Sequence, residues 1–127
     1  MIFGVGTDLV EIARLERGLE RWGRRLAERI LHPSELPEDG GQAPSARFLA
    51  KRFAAKEATV KALGTGFTGG IGPCDIAVEH HPGGAPRLVF HDAALQRLTL
   101  RRIRRSHLSL SDERTHVSAF VVLEGES

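Results

Sequence analysis

Glu57 and Lys61 stand four positions apart in a stretch rich in Ala, Lys and Leu, so on a helix they share one face. On a wheel turning about 100° per residue from Leu49, Phe53, Val60 and Leu63 gather as the core stripe. Glu57 and Lys61 fall on its border, beside Ala50 and Ala54. A carboxylate and an ammonium edged by methyl-sized neighbours leave space for a ligand; the alternative is an exposed ion pair worth roughly 0.2–0.5 kcal/mol to the helix. Lys56 falls inside the stripe, where a lysine buries its stem and carries its charge out to water, with a phosphate contact as the alternative. Asp8 is expected to end an N-terminal strand. It either caps the next helix in a capping box with Glu11 or serves as a hard-cation ligand. One strand-end Asp with one helix Glu would hold magnesium and leave other positions to water and substrate phosphates. Gly64-Thr65-Gly66 can let backbone amides approach a phosphate or can act as a plain C-cap and turn. It is not a Walker loop, and the helix end before it repels anions, so a phosphate there needs a metal or a lysine beside it.

Other chemistry is poorly supported. His80-His81 lies near a turn without the paired spacing of a zinc site, and Cys74 has no histidine at a recognisable spacing. Ser109 and Ser111 read as strand polar residues outside any nucleophile elbow. Arg14, Arg17, Arg21, Arg24, Arg25 and Arg29 spread over one side of the first helical segment, either as a solvated face or as a docking face for an acidic protein. No aromatic residues interleave with them for base stacking, which argues against nucleic acid. Arg101, Arg102, Arg104 and Arg105 form a second basic cluster, a solvated strand approach or a phosphate contact.

The elements that must position these groups follow from periodicity. Met1 to Val10 reads as a strand with Phe3, Val5 and Leu9 on one face and Gly4, Gly6 and Asp8 on the other, where another backbone or a ligand can come close. Glu11 to Leu31 reads as helix with a break near Gly23, its apolar stripe made of Ile12, Leu15, Leu19, Trp22, Leu26 and Ile30. After a Pro- and Gly-rich loop (His32 to Ser45), Ala46 to Leu63 is the strongest helix signal, N-capped by Ser45 and followed by Gly64. Asp75 to His81 and Arg87 to His91 read as paired strands, and Asp92 to Leu100 as a short helix. His107 to Ser111 and His116 to Leu123 read as a final hairpin turning at Asp112 to Thr115. The result is an α+β fold, a small and mostly antiparallel sheet against a long central helix, in one domain over residues 1–127.

Composition sets outer limits. With 41% hydrophobic and 27% charged residues and a formal charge of +2, the chain is an ordinary globular protein and no general magnet for nucleic acid. Its size leaves little surface to enclose a large substrate, which favours a pocket shared between subunits. A single cysteine, no signal-like segment and no membrane-length apolar run point to a cytoplasmic protein that touches no membrane.

Three segments taken together resemble a known family. Gly4-Val5-Gly6-Thr7-Asp8-Leu9-Val10-Glu11-Ile12 resembles the start of bacterial holo-acyl-carrier-protein synthases, members of the 4′-phosphopantetheinyl transferase family. Arg52-Phe53-Ala54-Ala55-Lys56-Glu57-Ala58, continuing to Lys61-Ala62-Leu63-Gly64-Thr65-Gly66, resembles that family's central and most specific signature. His107 to Ser111 and Val121 to Glu124 are similar to its last hairpin, so the likeness covers essentially the whole chain. The resemblance implies transfer of the phosphopantetheine arm of coenzyme A to a serine of an acyl carrier protein, releasing adenosine 3′,5′-bisphosphate. It implies magnesium on Asp8 and Glu57, Lys61 beside the pyrophosphate, and Arg52 with Gly64, Thr65 and Gly66 helping to hold the nucleotide. Glu57 and Lys61 are then the catalytic pair, with the serine proton taken by Glu57 or a water. It also implies a homotrimer with active sites at subunit interfaces, and a basic first helix that meets an acidic helix of the carrier, for which Arg14, Arg21, Arg25 and Arg29 are the candidates. One departure is Asp112, where many relatives carry His; an ionised Asp cannot donate to a phosphate oxygen, so it takes no part in this assignment. Without the resemblance, this transferase, a non-catalytic adaptor for an acidic partner and a nucleic-acid binder using Arg101 to Arg105 stand nearly level.

Overall fold

A computed structural model describes residues 1–37 and 42–126; the Gly40-Gly41 pair of the expected loop lies outside them. Strand β1 (Ile2–Glu11) places Gly4, Gly6 and Asp8 on one face, as alternation requires. It runs on past Asp8, which sits mid-strand opposite Ala119. The expected capping box is therefore absent: Glu11 is the residue before helix α1 (Ile12–Trp22), and no side chain caps that helix. Gly23, at φ 58°, breaks the segment as its position suggested, and α2 (Arg24–Ile30) follows. Trp22 leaves the predicted apolar stripe and is about half exposed, because the break ends the helix there.

Helix α3 (Ala46–Leu63) matches its expected bounds, with the Ser45 hydroxyl accepting from the Phe48 N–H at 3.1 Å and Gly64 left-handed at φ 79°. Two strands, β2 (Ile76–His80) and β3 (Pro86–Phe90), make a separate antiparallel pair, and α4 (Asp92–Leu100) leads to the hairpin of β4 (Ile103–Asp112) and β5 (His116–Gly125). Both hairpin strands are longer than expected, and Asp112 belongs to β4 instead of the turn. The main sheet has the order β1-β5-β4, all antiparallel, with its two chain-distant strands side by side. Among the described residues no helix is long and apolar enough to cross a membrane.

The glycines of β1 explain how closely the central helix lies on this sheet. A Cβ built on Gly4 would sit 2.1 Å from the Ala62 carbonyl oxygen, and one on Gly6 would sit 2.0 Å from that of Ala58. Both distances are far inside van der Waals contact, so only glycine admits the helix backbone here. Behind α3 lie α2, the short 3-10 turn Pro33–Glu35 and β2. The helix is thus buried on two sides, and the wheel from Leu49 identified only part of its core: Ala50, Ala54, Ala58 and Ala62 are buried as well.

Lys56 corrects a second expectation. It neither snorkels nor waits for a phosphate; it is 0% exposed. Its Nζ donates to the Ile30 carbonyl at 2.6 Å and to Glu35 Oε1 at 2.7 Å. The Glu35 carboxylate also accepts from the His32 N–H at 2.8 Å, the Val78 N–H at 3.1 Å and Arg52 Nη1 at 3.0 Å. Burial pulls the Lys56 ammonium below its ordinary pKa, and the Glu35 charge opposes that pull. A fully bonded buried carboxylate of this kind ties α2, the 3-10 turn, β2 and α3 into one frame behind the site.

Candidate active site at the contact of β1 and α3

Because Gly4 meets Ala62 and Gly6 meets Ala58, β1 and α3 run in opposite directions, and the next position on that strand face is Asp8. Asp8 therefore arrives beside the turns carrying Glu57 and Lys61. Lys61 reaches the strand, where its Nζ donates to Asp8 Oδ1 at 3.0 Å and to the Thr7 carbonyl at 2.9 Å. The Asp8 side chain is only 16% exposed, whereas that of Lys61 is 53% exposed. The predicted i,i+4 pair of Glu57 with Lys61 is replaced by a cross-element pair of Lys61 with Asp8.

Burial raises the Glu57 carboxyl above its ordinary pKa, and the negative charge of Asp8 raises it further; Lys61 and Arg14 work in the opposite direction. Asp8 and Glu57, from distant parts of the chain, lie near enough for the charge of one to act on the other. This donor set fits a hard divalent cation: it offers oxygen only, and a cation would relieve the repulsion that perturbs Glu57. Among the described residues there is no cluster of three or more His, Cys, Asp or Glu that could hold a metal.

A cleft of about 540 Å³ opens beside Asp8 and Lys61, and Ser109, Ser111, Ser118 and Phe120 line it from the outer face of the sheet. From sequence the two serines of β4 read as ordinary strand residues. Their alternation with Leu108 and Leu110, which turns every hydroxyl outward on one face, was the available signal.

Of the two readings of the loop after α3, the C-cap and turn is the one found. The amides of Gly64, Thr65 and Gly66 all point to the Val60 carbonyl, at 3.0, 3.2 and 3.3 Å. These three N–H groups close the helix and are not available to a phosphate, which leaves cationic side chains as the anion-binding groups near the loop. Arg52 is turned away from Asp8 and Glu57. It lies five positions before Glu57, about 140° around the helix. Its guanidinium is committed to Glu35 and to the Val78 carbonyl, and it stacks over Phe48 at 4.4 Å.

Arg14, Arg21, Arg25 and Arg29 are all exposed, as the wheel suggested. Arg21 lies 5.0 Å over the Trp22 ring, and Arg25 and Arg29 share a depression of about 200 Å³ with Trp22 and Leu26. Arg14 lies 5.7 Å over Phe53 and is close enough to act on the Glu57 charge, so this basic face borders the carboxylate pair. Asp112 is held by Arg47 and, at 3.3 Å, by Lys51. Desolvation works to raise its carboxyl, but the hydrogen bonds from these two cations prevail and keep it below the ordinary carboxylate range. Arg47 also donates to the carbonyls of Glu113 at 2.8 Å and Arg114 at 3.0 Å, so Asp112 anchors the hairpin turn to the start of α3.

This arrangement has close counterparts. The model of the 4′-phosphopantetheinyl transferase superfamily matches residues 4–120. A holo-[acyl-carrier-protein] synthase of Halorhodospira halophila is 52% identical over 123 residues, which is 97% of this chain and 98% of that protein. The crystal structure of such a synthase from Neisseria meningitidis superposes with a TM-score of 0.89 at 43% identity, covering 98% of this chain and 99% of that one. A Bacillus anthracis holo-(acyl-carrier-protein) synthase, solved in complex with CoA (3′,5′-ADP), gives a TM-score of 0.79 at 35% identity over 99% of both chains. With the two glycines that admit α3 and with Asp8, Glu57 and Lys61 in place, the chain belongs to the 4′-phosphopantetheinyl transferase superfamily, among its holo-[acyl-carrier-protein] synthases.

Proposed function

We propose that residues 1–127 form a single cytoplasmic transferase domain that moves the phosphopantetheine arm of coenzyme A onto a serine of an acyl carrier protein. The observation that supports this is the contact of Lys61 with Asp8 at 3.0 Å, together with the action of the Asp8 charge on Glu57. Asp8 and Glu57 would hold magnesium, which when bound neutralises charge on the pyrophosphate oxygens as the arm is transferred. Lys61, freed from part of its contact with Asp8, is placed to offset charge on the departing adenosine 3′,5′-bisphosphate. Glu57, whose carboxyl is held above its ordinary pKa, is matched to accept the serine proton. Gly64, Thr65 and Gly66 give the nucleotide room at the end of α3, and Arg52 serves it indirectly by fixing the frame behind that helix. Arg14, Arg21, Arg25 and Arg29 receive the acidic helix of the carrier and lead it to the carboxylates they adjoin.

The same chain assembles as a homotrimer with shared sites. Val5 (54%), Leu9 (67%) and Phe120 (46%) stand exposed together on the outer face of the main sheet, and Leu9 and Phe120 also border the catalytic cleft. A second copy seated there would cover this apolar area and complete the cleft wall. Phe120→Glu is expected to shift sedimentation from trimer to monomer and to cut turnover at least about tenfold, in keeping with the few kcal/mol that a central aromatic contributes at an interface. A trimeric Phe120→Glu protein with full activity contradicts the shared site.

The direct test is to incubate the chain with coenzyme A, magnesium and an apo carrier protein and to weigh the carrier. A gain of one phosphopantetheine arm, abolished by EDTA, is expected. No gain with a folded chain, or a gain indifferent to EDTA, overturns the proposal.

A further inference from the structure

Eight large apolar side chains stand exposed among the described residues. Val5, Leu9 and Phe120 belong to the proposed subunit contact, and Trp22 to the carrier face. Of the other four, Met1 (74%), Ile2 (62%) and Leu100 (73%) are the most exposed, and all three adjoin one corner of the main sheet, where α4 turns into β4. Aliphatic side chains this far out of the fold gain nothing from water, and their gathering at one place marks a contact surface.

The same corner is basic. Arg101, Arg102, Arg104 and Arg105 are all exposed around the turn. Met1, Ile2 and Phe3 share a depression of about 360 Å³ with Arg101, Arg102 and Glu126. Glu126 meets Arg104 and, at 4.0 Å, Arg102, while Glu124 turns to His107 at 2.9 Å. Four arginines against these two glutamates leave an excess of two positive charges, as large as the formal charge of the entire chain. Ion pairs this exposed are weak, so the guanidiniums stay available to an outside anion.

We propose that this corner binds the surface of an anionic phospholipid bilayer. The aliphatic tips enter the headgroup layer while the guanidiniums around them hold lipid phosphates. Two observations select this occupant. Nucleic acid offers an anionic backbone but nothing for three exposed aliphatic side chains, and the one aromatic ring at the corner, Phe3, lies under Arg101 at 5.1 Å and is closed to base stacking. An acidic carrier bound here would hold its serine far from the cleft, because Ile2 and Asp8 are six residues apart on β1, about 20 Å. A bilayer at that distance leaves the cleft open to substrates in solution. The expectation of no membrane contact rests on the absence of a spanning segment, and a contact along the surface needs none.

The test is co-sedimentation of the full chain with vesicles of phosphatidylcholine alone, or with about one third phosphatidylglycerol. Binding to the anionic vesicles, weakened by salt and absent with the neutral ones, is expected. Arg101→Gln, Arg102→Asn and Arg105→Gln together should lower vesicle affinity about tenfold or more, with asparagine chosen to suit the positive φ of 56° at position 102. Leu100→Asn alone should lower it severalfold. Both variants should keep the wild-type melting temperature, since every altered side chain is exposed; if the triple variant folds poorly, Leu100→Asn gives the same comparison. Arg21→Gln with Arg25→Gln, on the other basic face, should leave vesicle binding unchanged. Failure of the wild-type chain to bind anionic vesicles, equal binding to both compositions, or full retention by the triple variant overturns the proposal. Loss of binding through Arg21 and Arg25 instead moves the lipid contact to the carrier face and overturns it as well. Weaker binding of an acidic carrier protein by the triple variant, with no vesicle binding by the wild type, gives the corner to a protein partner and not to lipid.

Discussion

A Glu57→Gln chain is expected to fold normally and to lose transfer by about 10²–10⁴-fold, the scale of a positioned acid–base group, with the loss of a metal ligand acting in the same direction. The stability side of this expectation has an unusual sign. The Glu57 carboxyl is raised in the folded state, first by burial and then by Asp8. A raised folded pKa means that the folded chain favours the protonated form; the associated stability is fully present below the unfolded pKa and is lost as pH rises through the folded one. Wherever the carboxylate is ionised in the metal-free chain, it is so against the preference of its site. The neutral amide removes that strain, and the metal-free melting temperature of Glu57→Gln should equal or exceed that of the wild type. Wild-type-like turnover from this variant removes Glu57 from the mechanism, and a markedly lowered melting temperature removes the electrostatic account of its setting. Magnesium held by Glu57 as proposed would compete with protons for the same raised carboxyl, so metal affinity should decline on acidification before the ordinary carboxylate range is reached.

Gly6→Ala is expected to have the largest effect on folding of any single added methyl group in the described structure. The new Cβ would lie 2.0 Å from the Ala58 oxygen and 2.8 Å from the Ala62 nitrogen, and both are backbone atoms that cannot rotate away. Relief requires β1 and α3 to separate, which opens the contact that brings Asp8 to Glu57. The cost should reach or exceed the upper end of the 1–3 kcal/mol usual for overpacking, roughly, out of a total stability of about 5–15 kcal/mol. Thermal melts by circular dichroism should show a loss of many degrees, and the residual folded protein should transfer little. A melting temperature within a degree or two of wild type contradicts the packing described for β1.

Glycines 4 and 6 also show why much of this fold was legible. Their alternation with Phe3, Val5 and Leu9 marks a strand face that something must approach closely, and the long helix with its Ser45 cap and Gly64 stop was the natural partner. Local signals of this kind depend on residues near one another in the chain. The partners of Lys56 and Arg52 were not legible for the complementary reason. Their partner, Glu35, lies in an irregular turn 21 and 17 residues away, and nothing in the periodicity of α3 announces it. The helix-facing role of Ala54 and Ala58 was obscured because α3 is buried on two sides, which blurs a single apolar stripe. Asp8 was legible as a residue but not as a position: both expectations for it assumed that the strand stops there, whereas β5 pairs with β1 through to Glu11. Spacing likewise suggested a partnership of Lys61 with Glu57, and the antiparallel run of strand and helix gave Lys61 to Asp8 instead.

The shared cation remains the central claim. Crystals grown with coenzyme A and manganese in place of magnesium, measured at a wavelength where manganese scatters anomalously, test it most directly. One anomalous peak bonded to both the Asp8 and Glu57 carboxylates and to phosphate oxygens of the nucleotide is the predicted result. A peak elsewhere, or a nucleotide bound with the two side chains too far apart to touch one ion, would contradict it.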